Sequence, residues 1–136
     1  NHLEEIFNSC GVYYSRTKIT ENKSKPDFIF PSVEKYHDNT FNPQLLTMLG
    51  VKNTCKDRWR QVLSEADKIE YKHLLTLETA ISENQTNEMK DKKLQLVLPR
   101  SLHYTYNNSQ QSWIIDFNTF INVVKEKQKN VYQIRY

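Results

Sequence analysis

An α/β architecture, with a central mixed β-sheet flanked by helices, follows from three features of this sequence. Short apolar runs such as DFIF, LLTMLGV, KHLLTL and LQLVL have the length of buried strands. Around them lie stretches whose apolar residues recur three or four apart, the period of a helix with one buried face. The two kinds of segment alternate, as they do where helices cover a sheet. At 136 residues the chain is expected to form one compact domain, residues 1–136, burying roughly two-thirds of its unfolded surface.

From His2 to Cys10, Leu3, Ile6 and Phe7 stand at helical spacing among acidic residues, and Gly11 follows as a stop. Val12 to Tyr14 is expected as a short strand, and Thr20 to Pro26 (TENKSKP) has the polarity and proline of a loop. Asp27 to Phe30 is an apolar strand entered through an acid, and Ser32 to Pro43 is turn-rich. Leu45 to Val51 reads as a buried strand. A helix is expected from near Asp57, with Trp59, Val62, Leu63 and Ala66 as its buried stripe. Lys72 to Leu77 and Leu94 to Leu98 are two further strands, separated by a polar helical stretch from Ser82 to Lys92. The last helix carries Ile114, Phe117, Ile121 and Val124 at i, i+3, i+7 and i+10. No internal repeat or linker divides the chain.

Composition narrows the function classes. Lys+Arg 19 against Asp+Glu 16 gives a net charge of +3, too mild to establish a nucleic-acid partner, so distribution matters more than total. Two cysteines, Cys10 and Cys55, make neither a disulfide framework nor a zinc motif, which predicts reduced thiols in a cytoplasmic protein. No run has the apolar length of a membrane span, and the start NHLEEIF lacks the layout of a signal peptide. The chain opens on Asn1 rather than methionine, which predicts a fragment of something longer.

The uneven part is VKNTCKDRWRQVL. Lys52, Lys56, Asp57, Arg58 and Arg60 fall within nine residues, behind an apolar run and beside a tryptophan. If the strands of PDFIF and LLTMLGVK are neighbours, Asp27 and Lys52 meet. That pair suits phosphodiester hydrolysis. A carboxylate holds Mg²⁺, the metal stabilises phosphate charge and acidifies a water, and a lysine orients the water or the developing phosphate. Spacing leaves the plainer reading open, in which Asp27 is a strand-entry acid and Lys52 a solvated strand-end lysine. Lys56, Asp57 and Arg58 are chemically apt for G·C pairs, since Lys and Arg donate to guanine and Asp accepts from cytosine. They are equally consistent with a solvated helix start capped by Asp57. Arg60 suits a phosphate contact or an intramolecular ion pair. Trp59 has the spacing of a core residue. His37 and His73 read as structural, Cys55 beside cations is expected to have a lowered pKa, and Lys90, Lys92, Lys93 and Arg100 form a solvated run or a second phosphate patch.

The long run PDFIFPSVEKYHD, MLGVKNTCKDRWRQVLSEADKI, KHLLTL and LQLVLPRSLH resembles the catalytic C-terminal domain of the EcoRII family of type II restriction endonucleases, from the first helix through Leu102. The resemblance implies a PD-(D/E)xK nuclease core, Mg²⁺ as cofactor, and double-stranded DNA cut at a short site built on CC and GG around a central A·T pair. It puts the family aspartate at Asp27, the catalytic lysine at Lys52, a tyrosine needed for activity at Tyr36, and the recognition triplet at Lys56, Asp57 and Arg58. A homodimer on DNA is expected from the two-fold site. The family's second carboxylate, a glutamate on the first helix, falls just before the position of Asn1, with Glu4 the nearest substitute. The competing expectations are a non-catalytic DNA-binding module of the same fold and a protein-interaction domain without DNA affinity.

Overall fold

The computed structural model describes residues 2–17, 26–133 and 136. The chain runs through α1 (His2–Cys10), β1 (Ser15–Arg16), β2 (Phe28–Phe30), α2 (Val33–His37) and β3 (Thr47–Lys52). A 3-10 helix over Arg58–Ser64 leads to β4 (Lys72–Thr76), α3 (Glu83–Asp91) and β5 (Leu94–Val97). A second 3-10 segment, Arg100–Thr105, precedes α4 (Asn108–Trp113) and the long α5 (Phe117–Tyr132).

The expected mixed sheet is present, in the order β1-β2-β3-β4-β5. β1, β2 and β3 pair antiparallel, whereas β3, β4 and β5 pair parallel. Because side chains alternate along a strand, β3, β4 and β5 each serve two cores. Phe28, Phe30, Leu49 and Val97 join Phe7 of α1 and Phe120, Ile121 and Val124 of α5 on one face. Phe7 meets Phe28 and Phe30 edge-on, with ring centres 5.1 and 5.2 Å apart, a favoured aromatic geometry. Met48, Leu74, Leu94 and Leu96 face the other way, against Trp59, Val62, Ile69 and Met89. Helices thus cover both faces.

Local signals explain most boundaries. Gly11, at φ +73, ends α1 in the left-handed conformation that glycine adopts without strain. Ser32, Ser82 and Asp116 cap α2, α3 and α5 by accepting backbone N–H bonds. The structure differs from expectation in four places. Val12 to Tyr14 is not a strand, because both backbone groups of Tyr13 bond to the buried Gln128 side chain at 2.8 and 2.7 Å, an amide standing in for a strand. Ser32 to Pro43 contains α2. The segment after Asp57 is 3-10 rather than α-helical. Ile114 lies outside the last helix, as the C-cap of α4. The expected Thr20–Pro26 loop, apart from Pro26, falls outside the described residues. Among the described residues no helix is long and apolar enough to cross a membrane, and both cysteines are free.

His73 on β4 is structural, as expected. It is buried, its ring lies 5.0 Å from that of Phe120, and Nδ1 has no partner. Burial, with Lys127 adding repulsion, depresses its pKa from 6.5 to about 3. The unfolded chain therefore binds a proton that the folded chain refuses between those values, so His73 lowers stability as pH falls through 6.5 toward 3. Replacing it by leucine is expected to flatten that part of a urea-midpoint-against-pH curve. An unchanged slope in His73→Leu would place the acid sensitivity elsewhere.

Candidate active site

Asp27 immediately precedes β2, and the antiparallel register sets Phe28 opposite Leu49, so Asp27 falls beside the end of β3. Its Oδ2 accepts the Val51 N–H at 2.7 Å. Lys52 follows directly and, by alternation, shares the face of Met48 and Gly50. The two residues singled out by spacing are thereby brought together at the carboxyl end of the parallel strands, where open α/β sheets place their sites.

A third group stands with them. Glu65, at the end of the Arg58–Ser64 helix, is buried and its Oε1 has no hydrogen-bond partner. A Cβ added at Gly50 would stand 3.6 Å from that oxygen, an ordinary contact distance, so the carboxyl lies against the backbone of β3. Burial raises the Glu65 pKa from 4.5 to about 7. Lys52 pulls it down, Asp27 pushes it up and Lys72 pulls it down, in decreasing order. A carboxyl that feels both Asp27 and Lys52 belongs to their site. The buried Lys72 ammonium donates to the carbonyls of Ala66, at 3.1 Å, and Ile69, holding the turn that follows Glu65. Glu4 pairs with Arg16 at 2.9 Å and accepts from the Tyr14 hydroxyl, and Arg16 lines the same cleft as Asp27.

The cationic run divides. Lys56, Asp57 and Arg58 are exposed. Asp57 makes no side-chain cap, and Arg58 donates to the Thr54 carbonyl at 3.0 Å. The Glu78 carboxylate accepts the N–H groups of Cys55 and Lys56 at 3.2 and 3.1 Å. Arg60 takes the intramolecular option: its guanidinium makes two bonds to Glu88, at 2.6 and 2.9 Å, and lies over the Trp59 ring. Trp59 is fully buried, as its spacing implies, and donates to Gln85. The expectation for Cys55 is corrected: the thiol is buried and its pKa is raised by desolvation, so the adjacent cations do not activate it. In the expected second patch, Lys93 pairs with Glu70, Arg100 with Asp116, and Lys90 lies over Trp113.

Tyr36 lies apart. It is on α2, past the end of β2 opposite to Asp27. Its hydroxyl accepts the Lys68 N–H at 3.2 Å, and Lys68 Nζ donates to its carbonyl at 2.7 Å. Among the described residues no hydrogen bond joins it to Asp27, Lys52 or Glu65.

The family model described as EcoRII C terminal matches residues 1–121. The chain belongs to the EcoRII C-terminal family. A curated relative, the type II restriction enzyme EcoRII of Escherichia coli, is 46% identical over 121 residues, covering 88% of this chain and 30% of the relative. The chain thus spans under a third of that protein's length. Among solved structures, metal-depleted Ecl18kI in complex with uncleaved DNA superposes with a TM-score of 0.80 at 20% identity, over 98% of this chain and 45% of that one. A second Ecl18kI complex, with modified DNA, gives 0.79 at 19% identity. This EcoRII C-terminal family member therefore has the restriction-endonuclease fold, in a mixed sheet with flanking helices.

Glu65 is the site residue that helical periodicity missed in this family member. Its signal was available at a different period: Trp59, Val62 and Glu65 are spaced by three, so a 3-10 helix aligns them on one face. In the metal-free protein the folded state holds a proton on Glu65 that the unfolded chain releases between pH 4.5 and about 7. Stability is thus expected to fall as pH rises through that window, opposing the His73 effect where the two overlap. Glu65→Gln should remove this loss, read as urea midpoints from pH 4.5 to 7.5. A variant that keeps the parent's slope would show that Glu65 is not the group titrating.

Proposed function

We propose that this domain is a site-specific deoxyribonuclease of the PD-(D/E)xK type, hydrolysing phosphodiester bonds of double-stranded DNA with Mg²⁺. The observation that carries this reading is the convergence of Asp27, Lys52 and the unpartnered, buried Glu65 oxygen at one strand end. Among the described residues no three acidic, histidine or cysteine side chains cluster as a metal cage. Two carboxylates nevertheless suit Mg²⁺, which keeps several waters and takes phosphate oxygens besides one or two carboxylates. Asp27 uses one oxygen on Val51 and keeps the other for a ligand, and Glu65 offers an oxygen nothing else occupies. When bound, the ion would neutralise phosphate charge and make a water more acidic.

The remaining work falls to the chain. The Lys52 ammonium would orient the attacking water or donate to the phosphate oxygen on which charge grows. Lys56, Asp57 and Arg58 carry base recognition, their side chains exposed just beyond the catalytic lysine. Arg60, tied to Glu88, contributes the stiffness of the segment more than a phosphate contact. Tyr36 supports the site through Lys68, three residues beyond Glu65, rather than by touching phosphate. A homodimer on DNA follows from the need to cut two strands related by a two-fold axis. The free thiols suit a reducing cytoplasm.

Lys52→Ala is expected to leave DNA affinity in Ca²⁺ nearly intact while cleavage in Mg²⁺ drops about a thousandfold. Asp27→Asn should behave alike, and chelation should abolish cutting by the parent. The intact Ca²⁺ complex should sediment as two chains per duplex. Normal cutting by the Lys52 variant would remove that residue from the chemistry, one chain per duplex would exclude the dimer, and DNA binding by a parent that never cuts would leave a recognition module only.

Base reading makes a separate expectation. Arg58→Ala should cost about 1–3 kcal/mol on a duplex carrying CC and GG around an A·T pair, and little on a scrambled duplex. Equal losses on both, with a salt slope shallower by roughly one, would instead identify a phosphate contact.

A further inference from the structure

Beyond the reading residues themselves, the loop that presents them has an unusual support. Lys56 sits at φ +40, a backbone conformation that a residue with a side chain adopts only when its surroundings hold it. Consecutive N–H groups around such a residue form a concave nest that attracts anions. Here the anion is internal, because Glu78 Oε1 accepts from both Cys55 N and Lys56 N, at 3.2 and 3.1 Å. Glu78 is itself fixed. Its N–H donates to Thr76 Oγ1 at 3.1 Å, and its carbonyl accepts the Tyr106 hydroxyl at 2.6 Å. The neighbouring Leu77 N and Thr76 Oγ1 both donate to the Asn53 carbonyl, each at 3.2 Å. The segment at the end of β4 thereby grips the loop leaving β3 at three points, residues 53, 55 and 56. Cys55 is fully buried at the centre of this grip, and the side chains of Lys56, Asp57 and Arg58 leave it exposed.

We infer that Glu78 is a positioning residue for DNA sequence discrimination: its carboxylate holds the Lys56 backbone in the left-handed conformation from which Lys56, Asp57 and Arg58 project as one reading unit. The inference rests on the proposed role of those three side chains. Its physical content is that the loop is organised before DNA arrives, so little ordering is left for binding to supply. A loop released from Glu78 would relax at Lys56, misalign the three side chains and blur the distinction between right and wrong sequences. It would still attract phosphates. Glu78 therefore acts on the ratio of affinities, and its negative charge is incidental to that action.

The test compares Glu78→Gln with Glu78→Asp. Glutamine keeps an acceptor oxygen at the right reach without the charge, while aspartate keeps the charge on a stem one methylene too short. Binding of the CC/GG duplex and of a scrambled duplex of equal composition is measured in Ca²⁺ over a salt series. Amide hydrogen exchange at residues 55 and 56 is measured without DNA. Glu78→Gln should retain most of the parent's affinity ratio and slow exchange. Glu78→Asp should lose the ratio by about tenfold or more and exchange faster at both amides. A charge effect alone predicts the reverse order, with aspartate like the parent and glutamine altered on both duplexes; that result, or equal ratios in both variants, overturns the inference. If the parent shows no preference between duplexes, the reading role of Lys56–Arg58 fails separately, and exchange decides the grip: protection lost in Asp and kept in Gln supports it, and equal protection refutes it.

Discussion

The pairing of β2 with β3 is the constraint on which the site depends. Asp27 reaches Val51 because Phe28 stands opposite Leu49, and because the strands run antiparallel the entrance of one lies at the exit of the other. A slip of one residue would exchange the faces of β3, sending Gly50 and Lys52 toward α1 and α5 and Leu49 toward the Trp59 side. What forbids the slip is apolar packing on both faces. Phe28, Phe30 and Leu49 close on Phe7 and Phe120, while Met48 closes on the cluster around Trp59. The register that joins Asp27 to Val51 is thus enforced by apolar residues away from that contact.

Much of this was legible from sequence because the governing signals are local. Strands β2 to β5 announce themselves as short apolar runs, α3 and α1 by spacing and by Ser82 and Gly11 at their ends. Asp27 and Lys52 stood out as charges at the ends of apolar runs. The family resemblance added what spacing left open, above all the meaning of Lys56, Asp57 and Arg58. In two of the losses tertiary partners overrode local pattern. Nothing near Tyr13 predicts that a glutamine on α5 will satisfy its backbone in place of a neighbouring strand. Nothing near Arg60 decides between phosphate and Glu88, which is brought alongside by α3.

Glu65 shows how a small change of helical pitch relocates function. At 3.6 residues per turn the stripe beginning at Trp59 passes through Val62, Leu63 and Ala66, and Glu65 belongs to the flank. At three per turn the same stripe passes through Val62 to Glu65. The tighter helix is compatible with Trp59 and Val62 both fully buried, so the core accepts it. The acid that periodicity assigns to solvent then arrives under the sheet beside Gly50, and Lys72 anchors the outgoing turn. A buried carboxyl with an idle oxygen is unfavourable for stability, and here it lies within the field of Lys52 and Asp27.

The edges of the sheet bear on how such a domain associates. β1 contributes only two residues, and the stretch just before it is drawn away by Gln128. At the opposite side, Ile115 lies along β5, donating to the Leu96 carbonyl and accepting from Leu98 N. Among the described residues neither margin offers a long row of open backbone groups, the feature by which sheets recruit foreign strands and aggregate. Among the described residues strand addition has little to build on, which turns contacts with other chains toward side chains on helices and loops. Association with other chains is thereby weighted toward surface chemistry, tunable residue by residue without disturbing the strands that bring Asp27 and Lys52 together.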